Sequence, residues 1–222
     1  SRDRVLRMDI LLVRHGETDA NAQGRLQGWL DTSLSERGRA QARQLARWLR
    51  DAQVGWDVAY VSPLARARET AEIVCAETPG PPAVVDPDLT ELSAGSLEGL
   101  THEEIAAKHP EWMTRKVTEL GDFSEFGGES YDDLQLRSSR LIEGWTRKHG
   151  QQSSRVLVVA HGGINFQLLK RLICLPVPRV CIVRMGNCSV TRVKLRERRG
   201  TLMGELVFHL PIEMMGQVTS AD

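Results

Sequence analysis

The stretch Leu11-Leu12-Val13-Arg14-His15-Gly16-Glu17-Thr18 decides how the rest of the chain is read. An apolar run ends abruptly on an arginine, a histidine and a glycine. A buried strand has this form when it delivers a charged pair to the edge of a sheet, and in open parallel sheets ligands bind just outside the carboxyl ends of the strands. An arginine placed there can grip an oxyanion with its planar fork. A histidine can act as nucleophile, base or metal ligand, and a glycine lets the backbone turn and approach a ligand closely. Arg-His-Gly alone also fits a plain surface turn, so the reading rests on whether partners occur elsewhere.

Composition narrows the classes of function. At 222 residues the chain can form one sizeable α/β domain with a buried core. It is 41% hydrophobic and 26% charged, an ordinary profile for a soluble globular protein. Lysine plus arginine (29) balances aspartate plus glutamate (29), so any anion site must be a local concentration of arginines. A nucleic-acid binder would carry a basic excess. Cys75, Cys174, Cys181 and Cys188 are widely spaced and form no C-x-x-C pair, which fits neither a zinc knuckle nor a small disulfide scaffold. The expectation is a cytoplasmic protein, and no apolar run approaches membrane-spanning length. Neither nucleic acid nor a membrane is expected as a partner.

Outward from the opening stretch, the pattern alternates. Residues 1–8 read as a flexible lead-in and Asp9 to Arg14 as the first strand. A polar loop follows through Asn21, Gly24, Gln27 and Gly28. Ser35 then caps a helix whose Ala42, Leu45, Ala46 and Leu49 recur at i, i+3, i+4 and i+7, with Arg39, Arg43, Arg47 and Arg50 on a solvated face. Val58 to Val61 is a second strand, and Ser62-Pro63 reads as N-cap plus first helical position of the next helix, buried through Leu64, Ala67, Ala71 and Val74. Ala83 to Val85 makes a third short strand. Strand, helix, strand, helix, strand argues for parallel pairing with helical crossovers.

Thr101 and Glu104 form a capping box for a further helix that stops near Pro110. The segment 100–130 reads as an insertion or lid over the sheet, in which Trp112, Met113, Phe123 and Phe126 either stack on a ligand or form a satellite core. Ser130 caps a long helix with apolar Leu134, Leu141, Ile142 and Trp145. Arg155 to Ala160 is almost uninterrupted by polar residues, as suits a central strand covered on both faces. It ends in His161-Gly162-Gly163, an echo of the opening stretch, and a helix follows from about Ile164 to Cys174. Val180–Arg184, Ser189–Leu195 and Leu202–Leu210 read as closing strands, partly antiparallel, before a loose tail at 212–222. With no internal repeat or linker, residues 1–222 read as one domain, and the apolar C-terminal strands could support a homodimer.

In a parallel sheet, Arg14-His15-Gly16, Ser62-Pro63 with Arg66, Glu91 and His161-Gly162 share one edge. Two arginines, two histidines and a carboxylate converging there suit a phosphate dianion. Buried structural histidines or a zinc site are the alternatives for His15 and His161, and a surface ion pair is the alternative for Arg66. His102, His109 and His209 read as structural.

The same residues carry a family resemblance. Arg14-His15-Gly16-Glu17-Thr18 with Asn21 is similar to the signature of the histidine phosphatase, or phosphoglycerate mutase-like, superfamily. The likeness continues through Gly24-Arg25-Leu26-Gln27-Gly28, Leu34-Ser35-Glu36-Arg37-Gly38, Ser62-Pro63-Leu64-Ala65-Arg66-Ala67, Leu89-Thr90-Glu91-Leu92 and Ala160-His161-Gly162-Gly163, in the expected order. Ala160 stands where many relatives have serine. The resemblance implies a three-layer α/β/α sandwich with a mostly parallel mixed sheet. It implies a phosphomonoester hydrolase acting on a small phosphorylated metabolite, without metal or cofactor. His15 would be the nucleophile, and Glu91 the general acid, which needs a carboxyl able to hold a proton beside the phosphate. Arg14, Arg66 and His161 would surround the phosphate oxygens, with Asn21, Gln27, Gly28 and Gly162 as further binding positions.

The resemblance also bears on branch. Cofactor-dependent phosphoglycerate mutases carry a Glu-Arg-His-Tyr-Gly block after the acidic residue, whereas here the loop reads Ser93-Ala94-Gly95-Ser96-Leu97-Glu98-Gly99-Leu100. Phe126-Gly127-Gly128-Glu129-Ser130 resembles the Gly-Gly-Glu-Ser element of small bacterial-type phosphatases, including α-ribazole phosphatase-like members. Both features favour a phosphatase over a mutase. A non-catalytic phospho-ligand binding module is the alternative of another class, and it would need neither a nucleophile nor an acid.

Overall fold

A computed structural model describes residues 6–115, 121–174, 183–198 and 201–216. Its centre is a six-stranded sheet in the order β3-β2-β4-β1-β5-β6. The strands are β1 (Arg7–Arg14), β2 (Val58–Val61), β3 (Ala83–Val85), β4 (Arg155–Ala160), β5 (Val190–Arg198) and β6 (Thr201–Leu210). β3, β2, β4 and β1 run parallel, and β5 and β6 add antiparallel strands beyond β1. Strand β4 is central, as its unbroken apolar run requires, and is hydrogen-bonded to β1 on one side and β2 on the other.

The period-2 alternation of the strands makes the layers. Ile10, Leu12, Val156, Val158 and Ala160 face one side, where they pack with α6 (Tyr131–His149) and α7 (Gly162–Leu172) through Leu134, Leu141, Trp145, Ile164 and Leu168. Leu11, Val13, Leu157 and Val159 face the other side against α2 (Glu36–Asp51) and α3 (Ala65–Glu77), through Ala42, Leu45, Leu49, Ala67, Ala71 and Val74. The result is the expected three-layer α/β/α arrangement with a mostly parallel mixed sheet.

A satellite cluster lies beyond the sheet. Trp112 and Phe123 stack with ring centroids 5.1 Å apart, and with Phe126 they pack on Ala94, Leu97 and Ile105. Of the two readings of these aromatics, the structure has the satellite core. The capping boxes at Thr101 and Ser130 are formed, opening α4 (His102–Lys108) and α6, and α5 (Pro110–Met113) follows α4 directly.

Several expectations are corrected. The first strand begins at Arg7, and Leu6 and Met8 are buried in the core, because they supply apolar faces to the end of α6 and to β5. Ser62 does not cap α3; Leu64 is the N-cap residue, and the Ser62 hydroxyl is turned toward His161. Helix α7 starts at Gly162 rather than Ile164. Ile212 and Met215 are buried on the face of α2, where Gln44 Nε2 donates to the Ile212 carbonyl at 3.1 Å, so the loose tail does not begin at 212. Of the expected strand Val180–Arg184, residues 180–182 lie outside the described residues, and Val183 and Arg184 are not in a strand.

Candidate active site

The site is assembled by the register of two neighbouring parallel strands. Arg14 on β1 stands opposite Ala160 on β4, and the His15 amide donates to the Ala160 carbonyl at 2.9 Å. His15 and His161 therefore leave the sheet side by side, with ring centroids 5.1 Å apart and planes inclined by 59°. Strand β2, on the far side of β4, ends at Val61, and the chain then supplies Ser62 and, from the first turn of α3, Arg66. His15, Ser62, Arg66 and His161 are all buried.

His15 is held in one tautomer. Its Nδ1–H donates to the Gly16 carbonyl at 2.7 Å, so Nε2 carries the lone pair. The Gly16 amide in turn donates to Thr70 Oγ1 at 3.0 Å, and the Thr70 hydroxyl donates to the Arg66 carbonyl at 2.7 Å, which ties the turn after β1 to α3. Gly16 is required here by close approach, since a Cβ at this position would meet the Gly38 carbonyl oxygen at 2.6 Å. Asn187 Nδ2 reaches the His15 carbonyl at 3.1 Å from the segment before β5.

Arg66 distributes its guanidinium over three acceptors. Nε donates to His15 Nε2 at 3.2 Å, Nη1 to the Leu30 carbonyl at 2.7 Å, and Nη2 to the Gly28 carbonyl at 2.8 Å. Burial lowers its pKa from the ordinary guanidinium value while Glu91 and Asp31 oppose that; an arginine nevertheless stays charged. Arg14 anchors Nη1 on the Met185 carbonyl at 2.7 Å. A Cβ at Gly162 would lie 3.7 Å from Arg14 Nε, which places the first residue of α7 beside this second guanidinium.

His161 Nε2 lies 2.7 Å from Ser62 Oγ, and among the buried side-chain atoms of the site His161 Nδ1 has no hydrogen-bond partner. Ser62 Oγ also accepts the Leu64 amide at 3.3 Å, so its own proton is available to His161 Nε2. In the tautomer in which Ser62 donates to Nε2, Nδ1 carries the ring proton and is a donor in search of an acceptor. Glu91, from the loop after β3, lies against the start of α7. Its Oε2 accepts the Gly163 amide at 2.9 Å, and its Oε1 accepts the Ile164 and Leu92 amides at 3.1 and 2.9 Å. The Glu91 carboxyl thereby satisfies two of the amides that the first turn of α7 leaves without a partner in the helix.

Of the other expected phosphate contacts, Asn21 lies at the site edge. Its Oδ1 is taken by the Thr18 amide and by Asn187, in the capping box of a short helix, α1 (Asp19–Ala22), that the polar loop did not foretell. Gln27 and Gly28 are tied into the loop beside the site. Gln27 Oε1 accepts from the Thr18 and Thr32 hydroxyls at 2.9 and 2.7 Å, and the Gly28 carbonyl holds Arg66. Ser62 as a partner of His161, and Asn187, were not singled out from the sequence; the first was read as a cap, and the second carries no local pattern.

Both histidines are pushed well below their ordinary value of 6.5, His15 first by burial and then by Arg14 and Arg66, His161 first by burial and then by its neighbours His15, Arg66 and Arg14. A lowered pKa keeps the imidazole neutral as the pH falls through 6.5. After allowance for the substrate's own ionisation near about 6, kcat/KM is therefore expected to show no loss from His15 near its ordinary value. Stability behaves oppositely. The unfolded chain takes up protons near 6.5 where the folded one does not, so stability falls with pH from there toward the lower folded values. Measuring kcat/KM and Tm between about pH 7.5 and 5 tests this, and an inflection in kcat/KM at 6.5 that a change of substrate leaves in place would contradict it.

The comparisons with known proteins agree with this geometry. A family model described as the histidine phosphatase superfamily (branch 1) matches residues 10–205. A metal-independent phosphoserine phosphatase of Arabidopsis thaliana is 37% identical over 193 residues, covering 86% of this chain and 78% of the relative. Phosphoglycerate mutase-like protein 4 of the same plant is 37% identical over 164 residues, covering 73% and 70%. Among solved structures, a mycobacterial glucosyl-3-phosphoglycerate phosphatase in complex with VO3 has a TM-score of 0.76 at 33% identity, covering 89% of this chain and 96% of that one. The strand-end histidines, the buried guanidinium and a match over most of the length have one common reading: the chain belongs to the histidine phosphatase superfamily (branch 1) and is an enzyme of the phosphomonoesterase type.

Proposed function

We propose that the enzyme hydrolyses a small organic phosphate ester in two steps through a phosphohistidine on His15, with guanidinium groups in place of a metal ion. The observation that carries this is the His15 ring itself, with Nδ1–H fixed on Gly16 and the lone pair of Nε2 facing Arg66 Nε. An ester phosphate entering between them takes over the Arg66 donor. Arg14, the Nδ1–H of His161, the Gly162 amide and the amide nitrogen of Asn21 complete a cage for its non-bridging oxygens.

In the first step a bond forms from His15 Nε2 to phosphorus and the ester P–O bond breaks, with the Glu91 carboxyl giving its proton to the leaving oxygen. In the second, water attacks phosphorus and gives a proton back to Glu91, the N–P bond breaks, and inorganic phosphate leaves. A cleft of about 520 Å³ opens beside Arg14 and Gly162, walled by Leu92, Leu134 and Phe166 with Arg184 in its lining; it is the place for the leaving group. The names of the relatives, a phosphoserine phosphatase and a glucosyl-3-phosphoglycerate phosphatase, support a phosphorylated metabolite as substrate. A hydrolase is favoured over a mutase because the loop Ser93–Leu100 contains no Arg, Lys or His to grip a second acidic group.

Hydrolysis of an aryl phosphate is expected to continue within about twofold in excess EDTA, since no step uses a divalent cation. Activity lost in EDTA and restored by a divalent ion overturns the metal-free route, and phosphate binding without turnover replaces the enzyme by a binding module.

A further inference from the structure

Glu91 sits in the loop after β3, with its carboxyl against the start of α7 and its own carbonyl accepting from Trp29 Nε1 at 2.6 Å. The carbonyls just before it are held by one residue outside the site, Arg137 of α6. Its guanidinium Nη1 donates to the Asp88 carbonyl at 2.7 Å and to the Thr90 carbonyl at 2.9 Å, and Nη2 reaches the Glu91 carbonyl at the 3.5 Å limit. Nε and Nη2 together make a two-pronged pair with Glu129, at 2.8 Å to each carboxylate oxygen. Glu129 then holds the other side of the loop, with Oε2 accepting the Ser93 amide at 3.0 Å and its own amide donating to the Ser93 carbonyl at 3.0 Å. Both side chains of the pair are largely buried, at 11% and 15% exposure, so the pair is screened little by solvent.

We infer that Arg137, with Glu129, is a positioning residue for the general acid. It fixes the backbone on both sides of Glu91, and so fixes where the Glu91 carboxyl stands relative to the ester oxygen. The inference rests on the acid role proposed above for Glu91. Only a planar fork with five donors can serve the Asp88, Thr90 and Glu91 carbonyls and both Glu129 oxygens at once; a lysine is a single point charge on a flexible stem. Helix α6 also supplies Tyr131 and Leu134 to the lining of the leaving-group cleft, so one rigid element carries both the cleft wall and the anchor of the acid.

The test uses the dependence of the reaction on its leaving group. An alkyl phosphate needs a proton on its departing oxygen, whereas a dinitrophenolate departs without one. A misplaced acid therefore slows the first ester selectively, while general damage slows both. The readout is kcat/KM, which covers only the steps up to formation of the phosphohistidine and so excludes the later attack by water. Arg137→Lys is expected to lower kcat/KM for an alkyl phosphate roughly 100-fold and for 2,4-dinitrophenyl phosphate less than about threefold, the lower end of what a general acid contributes. Glu129→Gln, which keeps the shape of the pair and removes its charge, is expected to give the same selectivity with a smaller loss, and it carries the test if Arg137→Lys does not fold. Glu91→Gln separates the two readings. If it lacks the leaving-group dependence, the acid role itself fails. If it has that dependence and the folded Arg137 and Glu129 variants lose activity equally on both esters, or not at all, the positioning role is overturned.

Discussion

His15→Ala is expected to hydrolyse phosphate esters at least about 10⁴-fold more slowly than the native enzyme while remaining folded and still binding phosphate. In the proposed mechanism the side chain is a nucleophile only because of its surroundings. Gly16 takes the Nδ1 proton, burial and the two guanidinium groups keep the ring neutral, and Nε2 is left pointing at the cage. Alanine removes that atom and leaves Arg14, Arg66, His161 and the start of α7 in place, so binding outlives catalysis. Labelled substrate, quenched in base, should leave label on the native protein that is stable to base and released by acid. The variant should carry none. Labelled protein from the variant, or activity within about 100-fold of native, would move the nucleophile elsewhere.

The second large effect belongs to Arg66→Lys, a change that conserves charge. A loss of about 10²- to 10³-fold in kcat/KM is expected, because the three donors of Arg66 have three separate destinations and an ammonium cannot reach them together. The carbonyls of Gly28 and Leu30 lose their donors, so the loop that closes over the site loosens as the phosphate clamp weakens. Steady-state kinetics with a thermal melt distinguishes the components: a fall in kcat/KM with little change in Tm identifies the clamp, whereas a drop in kcat/KM of less than about fivefold with a lowered Tm would make Arg66 a loop tie only.

Much of this arrangement could be read from local pattern, and what could not was non-local. Unbroken apolar runs place β1, β2 and β4, and period-3.6 repeats place the buried faces of α2, α3 and α6, since burial on two faces selects apolar residues throughout and burial on one helix face selects them at that interval. Arg14-His15-Gly16 and His161-Gly162 each end an apolar run, and it is their recurrence beside Arg66 and Glu91 that sets them apart from plain surface turns. Arg137 was invisible by comparison. It falls on a long amphipathic helix rich in charged residues, and nothing in its neighbours announces that it turns inward to carbonyls 46 to 49 positions away. Ser62 was misread for a similar reason: Ser-Pro has a local meaning as a helix start, and a hydrogen bond to His161, 99 residues on, outweighed it. The resemblance alone points to Gln27 and Gly28 as phosphate positions, and their ties to Thr18, Thr32 and Arg66 are non-local contacts that no sequence pattern announces.

The pairing of β1 with β4 joins residues about 150 positions apart in sequence, and such long-range contacts form late because a large loop must close first. His15 and His161 do not meet until that closure. During synthesis the first histidine leaves the ribosome long before the second, and the intervening chain can form helices without forming any catalyst. The site is therefore complete only in a chain that has made β4 and seated it between β1 and β2, and a chain interrupted before β4 lacks His161 altogether.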